Sequence, residues 1–172
     1  VSVDLDSNSL GSSGNNSYIT ANETSNIVDT VSVNIVGNKA KDINAYSGGS
    51  QVTNLSSGKE ATIELTYTVS ELNTAGITTT DQVSALKIVS WSEDKQEWES
   101  LSTINAPKDS SGNIVALPAS NLSNVSSITF TAIGTHFSDY ALSSPTGVSP
   151  PDTPSGLTAT AGNPGSGIIS LS

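Results

Sequence analysis

Apolar and polar residues alternate with a period of two along much of this chain, the pattern of strands with one buried and one solvated face. Val1, Val3 and Leu5 share one parity, and Val31, Val33 and Ile35 repeat it within residues 30–36, where Gly37-Asn38 is expected to end the strand. The clearest case runs from Ala61 to Val69. There Ile63, Leu65 and Tyr67 face one way, and Thr62, Glu64, Thr66 and Thr68 face the other. Further strands are predicted at 42–46, 52–55, 85–91, 97–103, 128–133 and 137–142. Turn-forming residues separate them, among them Ser47-Gly48-Gly49-Ser50, the polar stretch from Ser92 to Gln96, and Ser110 to Asn113. The last two strands are expected to pair through Gly134. Only 70–75 reads as a helical turn, with Ser70 as its N-cap. Short strands with frequent turns predict an all-β fold, an antiparallel β-sandwich of Ig-like type.

The pattern changes at Ser143. Residues 145–154 contain four prolines and read as a stiff linker after a β-sandwich domain at 1–144. Beyond it, Ser155-Gly156-Leu157-Thr158-Ala159-Thr160-Ala161-Gly162 and Gly167-Ile168-Ile169-Ser170-Leu171-Ser172 resemble the first two strands of a fibronectin type III domain. That resemblance implies a partial domain at 155–172, too short to bury a core of its own. The chain is therefore expected to be part of a longer, multidomain protein.

Charge narrows the partners. Six lysines and no arginine stand against 16 acidic residues, a formal charge of −10 over 172 residues. Such a surface repels phosphate, which argues against nucleic acid and against anionic membranes. No apolar run approaches the roughly 18 residues of a membrane-spanning helix, so no direct membrane insertion is expected. Without cysteine there is no disulfide, thiolate nucleophile or cysteine metal site. The Ser/Thr/Asn-rich make-up is that of secreted prokaryotic surface proteins, so a secreted or cell-surface location is expected. Asn-x-Ser/Thr sequons occur at Asn15, Asn22, Asn54, Asn121 and Asn124.

Thr135-His136-Phe137-Ser138 contains the only histidine. A His two residues before a Ser is the spacing of a backbone that cleaves itself, with the Ser hydroxyl attacking the preceding carbonyl and the His taking its proton. The same residues also fit the start of a final strand, with His136 satisfied by hydrogen bonds. Trp91 and Trp98 flank a polar turn, and His136-Phe137-Ser138-Asp139-Tyr140-Ala141-Leu142 follows 38 residues later. This combination resembles the GPS motif that closes the GAIN domain of adhesion receptors, and the Thr-His-Phe-Ser-x-Tyr-Ala-Leu ending of many prokaryotic surface proteins. The resemblance covers roughly 61–142 and implies a GAIN-like sandwich. It also implies cleavage between Phe137 and Ser138, with His136, Phe137 and Ser138 as the reacting triplet. The receptor motif is braced by two disulfides, which this chain lacks, and cleavage in such families depends on a strained bend that Gly134 would have to supply.

Other chemistry is sparse. Asp4-Leu5-Asp6-Ser7-Asn8 has the alternation of the first calcium ligands in a loop, but the twelfth position is Asn15 rather than Glu. On a strand, Asp4 and Asp6 share a face that could hold calcium weakly or simply be a solvated edge. Glu93, Asp94, Glu97 and Glu99 cluster at a hairpin tip. Trp91, Trp98 and Tyr67 fit either a sugar-binding platform or core packing. The expected function is that of a non-enzymatic extracellular structural or spacer module. Its expected partners are neighbouring domains or subunits of its own type, and no cofactor is expected beyond that calcium. The alternatives are the self-cleaving module, a filament or surface-layer subunit assembling by strand complementation, and a glycan-binding accessory module.

Overall fold

The alternating segments assemble as two antiparallel sheets laid face to face. The computed structural model describes residues 1–5, 9–10, 17–25, 27, 33–145, 159–161 and 169–171. In chain order the strands are β1 (Ser2–Leu5), β2 (Tyr18–Thr24), β3 (Asn34–Ser47), β4 (Ser50–Val52), β5 (Ala61–Thr68), β6 (Lys87–Ser92), β7 (Glu97–Ser100), β8 (Thr103–Lys108), β9 (Ser127–Gly134) and β10 (Asp139–Ser144). The first sheet has the order β1-β5-β9-β8. The second has the order β2-β3-β10-β6-β7, with β4 added to β3. The all-β sandwich is thus what the chain forms. Of the expected linker and fibronectin-like segment, 146–158, 162–168 and Ser172 lie outside the described residues; β11 (Ala159–Ala161) and β12 (Ile169–Leu171) pair antiparallel with each other.

Side-chain parity decides what each sheet buries. Ala61, Ile63 and Leu65 of β5 and Ile128, Phe130 and Ala132 of β9 meet Ile43, Ala45, Ile88, Tyr140 and Leu142 of the second sheet in one core cluster. Each large apolar side chain buried there contributes about 1.5–3 kcal/mol. Residues of opposite parity on the second sheet (Ile35, Ala40, Val89, Trp91, Trp98 and Ala141) form a separate cluster on its outer face, with Ile27 and Val33 packed against it. Trp91 and Trp98 are register partners across β6 and β7, edge to face at 5.7 Å and 65°. The second sheet is therefore apolar on both sides.

Several local expectations change. Strand β3 does not stop at Gly37-Asn38. It passes through them as a bulge, where the β10 partner jumps from Ala40 opposite Ala141 to Ile35 opposite Ser143. Gly37 and Asn38 take left-handed φ values of 69° and 51° there. Gly48 and Gly49, at φ 60° and 83°, make the expected hairpin turn between β3 and β4. The helical turn is α1 (Val69–Thr74), capped by Thr68 rather than Ser70. Thr68 Oγ1 accepts from the Glu71 N–H, and the Glu71 carboxylate accepts from the Thr68 N–H. A second helix, α2 (Thr80–Ala85), was not anticipated, although Thr79 and Gln82 form the same reciprocal cap. Segment 97–103 breaks at Leu101-Ser102, so that β7 and β8 lie in different sheets.

The largest correction concerns β9 and β10. They are not paired: β9 lies between β5 and β8, and β10 lies between β3 and β6. Residues 135–138 are the crossing from one sheet to the other. Tyr140, fully buried, fixes the crossing by donating its hydroxyl to the His136 carbonyl at 2.6 Å. A β-sandwich uses such a tyrosine, bonding back a few residues, to hold the corner between strands. The hydroxyl also occupies the space beside Gly134, where an added Cβ would fall 2.4 Å from it. Glycine is required at 134 for room, not for φ.

Two outcomes follow for chemical denaturation. Gly134→Ala is expected to destabilise by about 1–3 kcal/mol through overpacking, and Tyr140→Phe by about 1–2 kcal/mol through the orphaned carbonyl. Combined, they should cost less than the sum of the two, because removing the hydroxyl removes the clash. A double-mutant cycle in urea that returns strict additivity would refute this account of the corner. Ser90, on β6 opposite Tyr140, has a buried hydroxyl with no hydrogen-bond partner. Ser90→Ala is therefore expected to leave stability unchanged or raise it by up to about 1 kcal/mol, read from the urea midpoint.

Candidate functional site

The corner holds the lone histidine in a framework of backbone bonds. The Thr135 carbonyl accepts from Leu55 N–H at 3.3 Å, Phe137 N–H donates to the Thr53 carbonyl at 2.8 Å, and the Ser138 carbonyl accepts from Ile43 N–H at 3.1 Å. His136 bridges to Asn54, just past β4. The β3–β4 hairpin thus grips residues 135–138 along their length. Phe137 is buried in the main core. The segment leaves β9 of the first sheet and is bonded to the second before β10 begins.

Side chains at the corner look in different directions. His136 Nε2 lies 3.3 Å from the Trp91 carbonyl oxygen, and its ring is tilted 32° against the Tyr140 ring at 6.3 Å. The Ser138 hydroxyl donates to the Asp139 carbonyl at 3.3 Å. His136 and Ser138 share no hydrogen bond with each other. Among the described residues the non-glycine positions with left-handed φ are Asn38, Gln96 and Asn124, none of them in the corner. Burial pushes the Tyr140 hydroxyl up to about 12, so at neutral pH it remains a proton donor to the His136 carbonyl.

A groove of about 460 Å³ opens beside the corner, between residues 136–138 and the β6–β7 turn. Thr53, Asn54 and Trp91 line it together with Glu93, Asp94, Lys95 and Glu99. Lys95 pairs with Glu99 four residues on. The turn itself is held by Gln96, whose N–H donates to the Ser92 carbonyl at 2.8 Å and whose amide donates to the Glu93 carbonyl at 2.7 Å. Its lining mixes apolar surface from Trp91 and Phe137 with an excess of acidic side chains, and Lys95 is the cation among them. Asp139, next to it, is pushed above its ordinary 3.8, first by burial and then by the charges of Asp42 and Glu93.

Sequence-predicted residues fare unevenly. The tryptophan turn and the His136–Ser138 segment, 38 residues apart in sequence, do meet across this groove. Asp4 is exposed on β1 opposite Thr62, and Asp6 lies outside the described residues. Among the described residues no group of three or more His, Asp or Glu is placed to hold a metal ion. Trp91 and Trp98 are buried on the outer face of the second sheet, whereas Tyr67 projects from the first sheet and packs edge-on against Phe130. The three aromatics do not form a platform. Tyr140, expected from the closing motif as a core residue, also ties the corner through its hydroxyl, and its position four residues after His136 was the available signal. Thr53 and the Trp91 carbonyl carry no sequence signal, because they act through backbone atoms.

No protein-family model, curated protein or solved structure was found to match this chain.

A carboxyl that holds its proton more tightly when folded favours folding below its unfolded pKa and opposes it as the pH rises through the raised value. Asp139→Asn is therefore expected to raise Tm at pH 7, and the gain should fade as the pH drops below the ordinary 3.8. Thermal scans at pH 7 and pH 3 check both arms; an equal gain at the two pH values would rule out the electrostatic cause.

Proposed function

We propose that the chain is a non-enzymatic structural module of a secreted or cell-surface protein, positioning other domains of the same polypeptide. One observation carries this reading: the only histidine and its neighbouring serine sit in the sheet-to-sheet corner, each bonded to a different backbone carbonyl. The residues with most chemical potential are thereby committed to architecture. A hydroxyl-rich, arginine-free exterior and a net charge of −10 suit a spacer that stays soluble and does not adhere to anionic partners.

A second reading has an observation in its favour. His136, Phe137 and Ser138 all line one open groove, which gives water access to the Phe137–Ser138 bond. Self-cleavage there would begin with Ser138 losing its proton to His136 and attacking the Phe137 carbonyl. The imidazolium gives that proton to the Ser138 nitrogen as the C–N bond breaks and the ester forms; water then hydrolyses the ester, freeing the Phe137 carboxylate and restoring the Ser138 hydroxyl. His136 would have to turn from the Trp91 carbonyl toward Ser138 for this to start.

Intact mass under denaturing conditions separates the two. A structural module gives one species at 17.5 kDa for residues 1–172, unchanged by Ser138→Ala and by prolonged incubation at neutral pH. A fragment pair split between Phe137 and Ser138, abolished by Ser138→Ala and by His136→Ala, would establish the self-cleaving reading instead.

A further inference from the structure

Five sequons are a weak signal in so asparagine- and serine-rich a chain, but the structure sets one of them apart. The segment before β9 is anchored on both sides of Asn121-Leu122-Ser123. Thr80 at the start of α2 donates its hydroxyl to the Pro118 carbonyl at 2.7 Å, and Ser126 is bonded through its backbone to Lys108 and Val69. Leu122 and Val125 are buried in the core, so the residues around them turn outward. Asn121 and Ser123 are both exposed.

Within this fixed turn the two side chains already face one another. Ser123 Oγ donates to Asn121 Oδ1 at 2.6 Å, and Ser123 N–H donates to the same oxygen at 3.0 Å. Both bonds fall on the amide oxygen. The amide nitrogen, Nδ2, makes no hydrogen bond to any described residue. The other described sequons are placed differently. Asn22 sits within strand β2, the Asn54 amide donates to the Thr53 hydroxyl, and Asn124 has a left-handed backbone at φ 68°. Asn15 lies outside the described residues.

We propose that Asn121 is the N-glycosylation acceptor of this domain, taking an oligosaccharide from a lipid-diphosphate-linked donor. A transferase that glycosylates a folded chain needs an exposed amide nitrogen free of partners and a hydroxyl two residues on, on the same side. Residues 121–123 present both without rearrangement. In the transfer, Asn121 Nδ2 attacks C1 of the donor's first sugar and the C1–O bond to the lipid diphosphate breaks. The diphosphate leaves with the bonding electrons, and the proton lost from Nδ2 passes to a base of the transferase. The hydrogen bonds on Oδ1 draw electron density toward the oxygen and so ease loss of that proton. A glycan here would project from the end of the sandwich formed by 118–126 and leave the corner groove open.

The exported location proposed above brings the chain to such transferases in a cell, but the acceptor geometry does not depend on it. The test uses the folded protein, a single-subunit oligosaccharyltransferase, a lipid-diphosphate oligosaccharide, and a flexible sequon peptide as internal control. Intact mass is expected to rise by one oligosaccharide, and peptide mapping to place it on Asn121. The adduct should vanish in Asn121→Gln and Ser123→Ala and persist in Ser123→Thr, with Tm showing that each variant is folded. An unmodified protein beside a consumed control peptide overturns the proposal, as does an adduct on Asn22, Asn54 or Asn124 with Asn121 bare. Neither result bears on where the protein resides, which cell fractionation decides separately.

Discussion

The hydrogen bond from the buried Tyr140 hydroxyl to the His136 carbonyl is the constraint on which the sandwich depends. It closes a four-residue path at the point where the chain leaves one sheet for the other. Around it, three kinds of requirement converge: no Cβ at Gly134, an apolar Phe137 reaching the core, and a backbone gripped by the β3–β4 hairpin. Because β9 and β10 are both flanked by other strands of their sheets, the corner also fixes how the two sheets face each other. A change there is felt in both layers at once.

The same constraint governs what chemistry the site can perform. The His136 carbonyl, the His136 ring and the Ser138 hydroxyl each have a partner: Tyr140 of β10, Trp91 of β6 and Asp139 of β10 respectively. The adjoining groove carries an excess of acidic side chains, and Asp139 beside it is pushed up first by burial and only then by the charges of Asp42 and Glu93. Its nearest cation, Lys95, is paired with Glu99. His136 is held there by its bond to the Trp91 carbonyl and by the Tyr140 ring beside it.

Much of the fold was legible in the sequence, because period-two alternation is a local signal. The strand at 61–68 and the turns at Gly48-Gly49 and Ser92 to Gln96 emerge where parity and turn chemistry place them. What sequence did not reveal was pairing. That β9 and β10 belong to different sheets depends on contacts with β3, β5, β6 and β8, all distant in the chain. The bulge at Gly37-Asn38 looked like a strand end because a left-handed pair usually is one; here β10 continues past it. Helix α2 was missed although Thr79 and Gln82 carry a capping signature, since six residues give no helical periodicity to notice. At the site, sequence found His136 and Ser138 and their tryptophan neighbour, but not the backbone carbonyls that occupy them.

The unequal support of the two ends of the sandwich has a mechanical consequence. Strand β1 has a single neighbour and four register pairs with β5. Strand β10 lies between two neighbours, and the corner ties it down just upstream. Tension applied along the polypeptide therefore meets a weak attachment at one end and a strong one at the other. Under load, β1 would peel away first, lengthening the chain by a few residues while the core and the corner stay closed. A domain arranged in this way gives a little before it yields, and it keeps whatever follows β10 attached to a folded body.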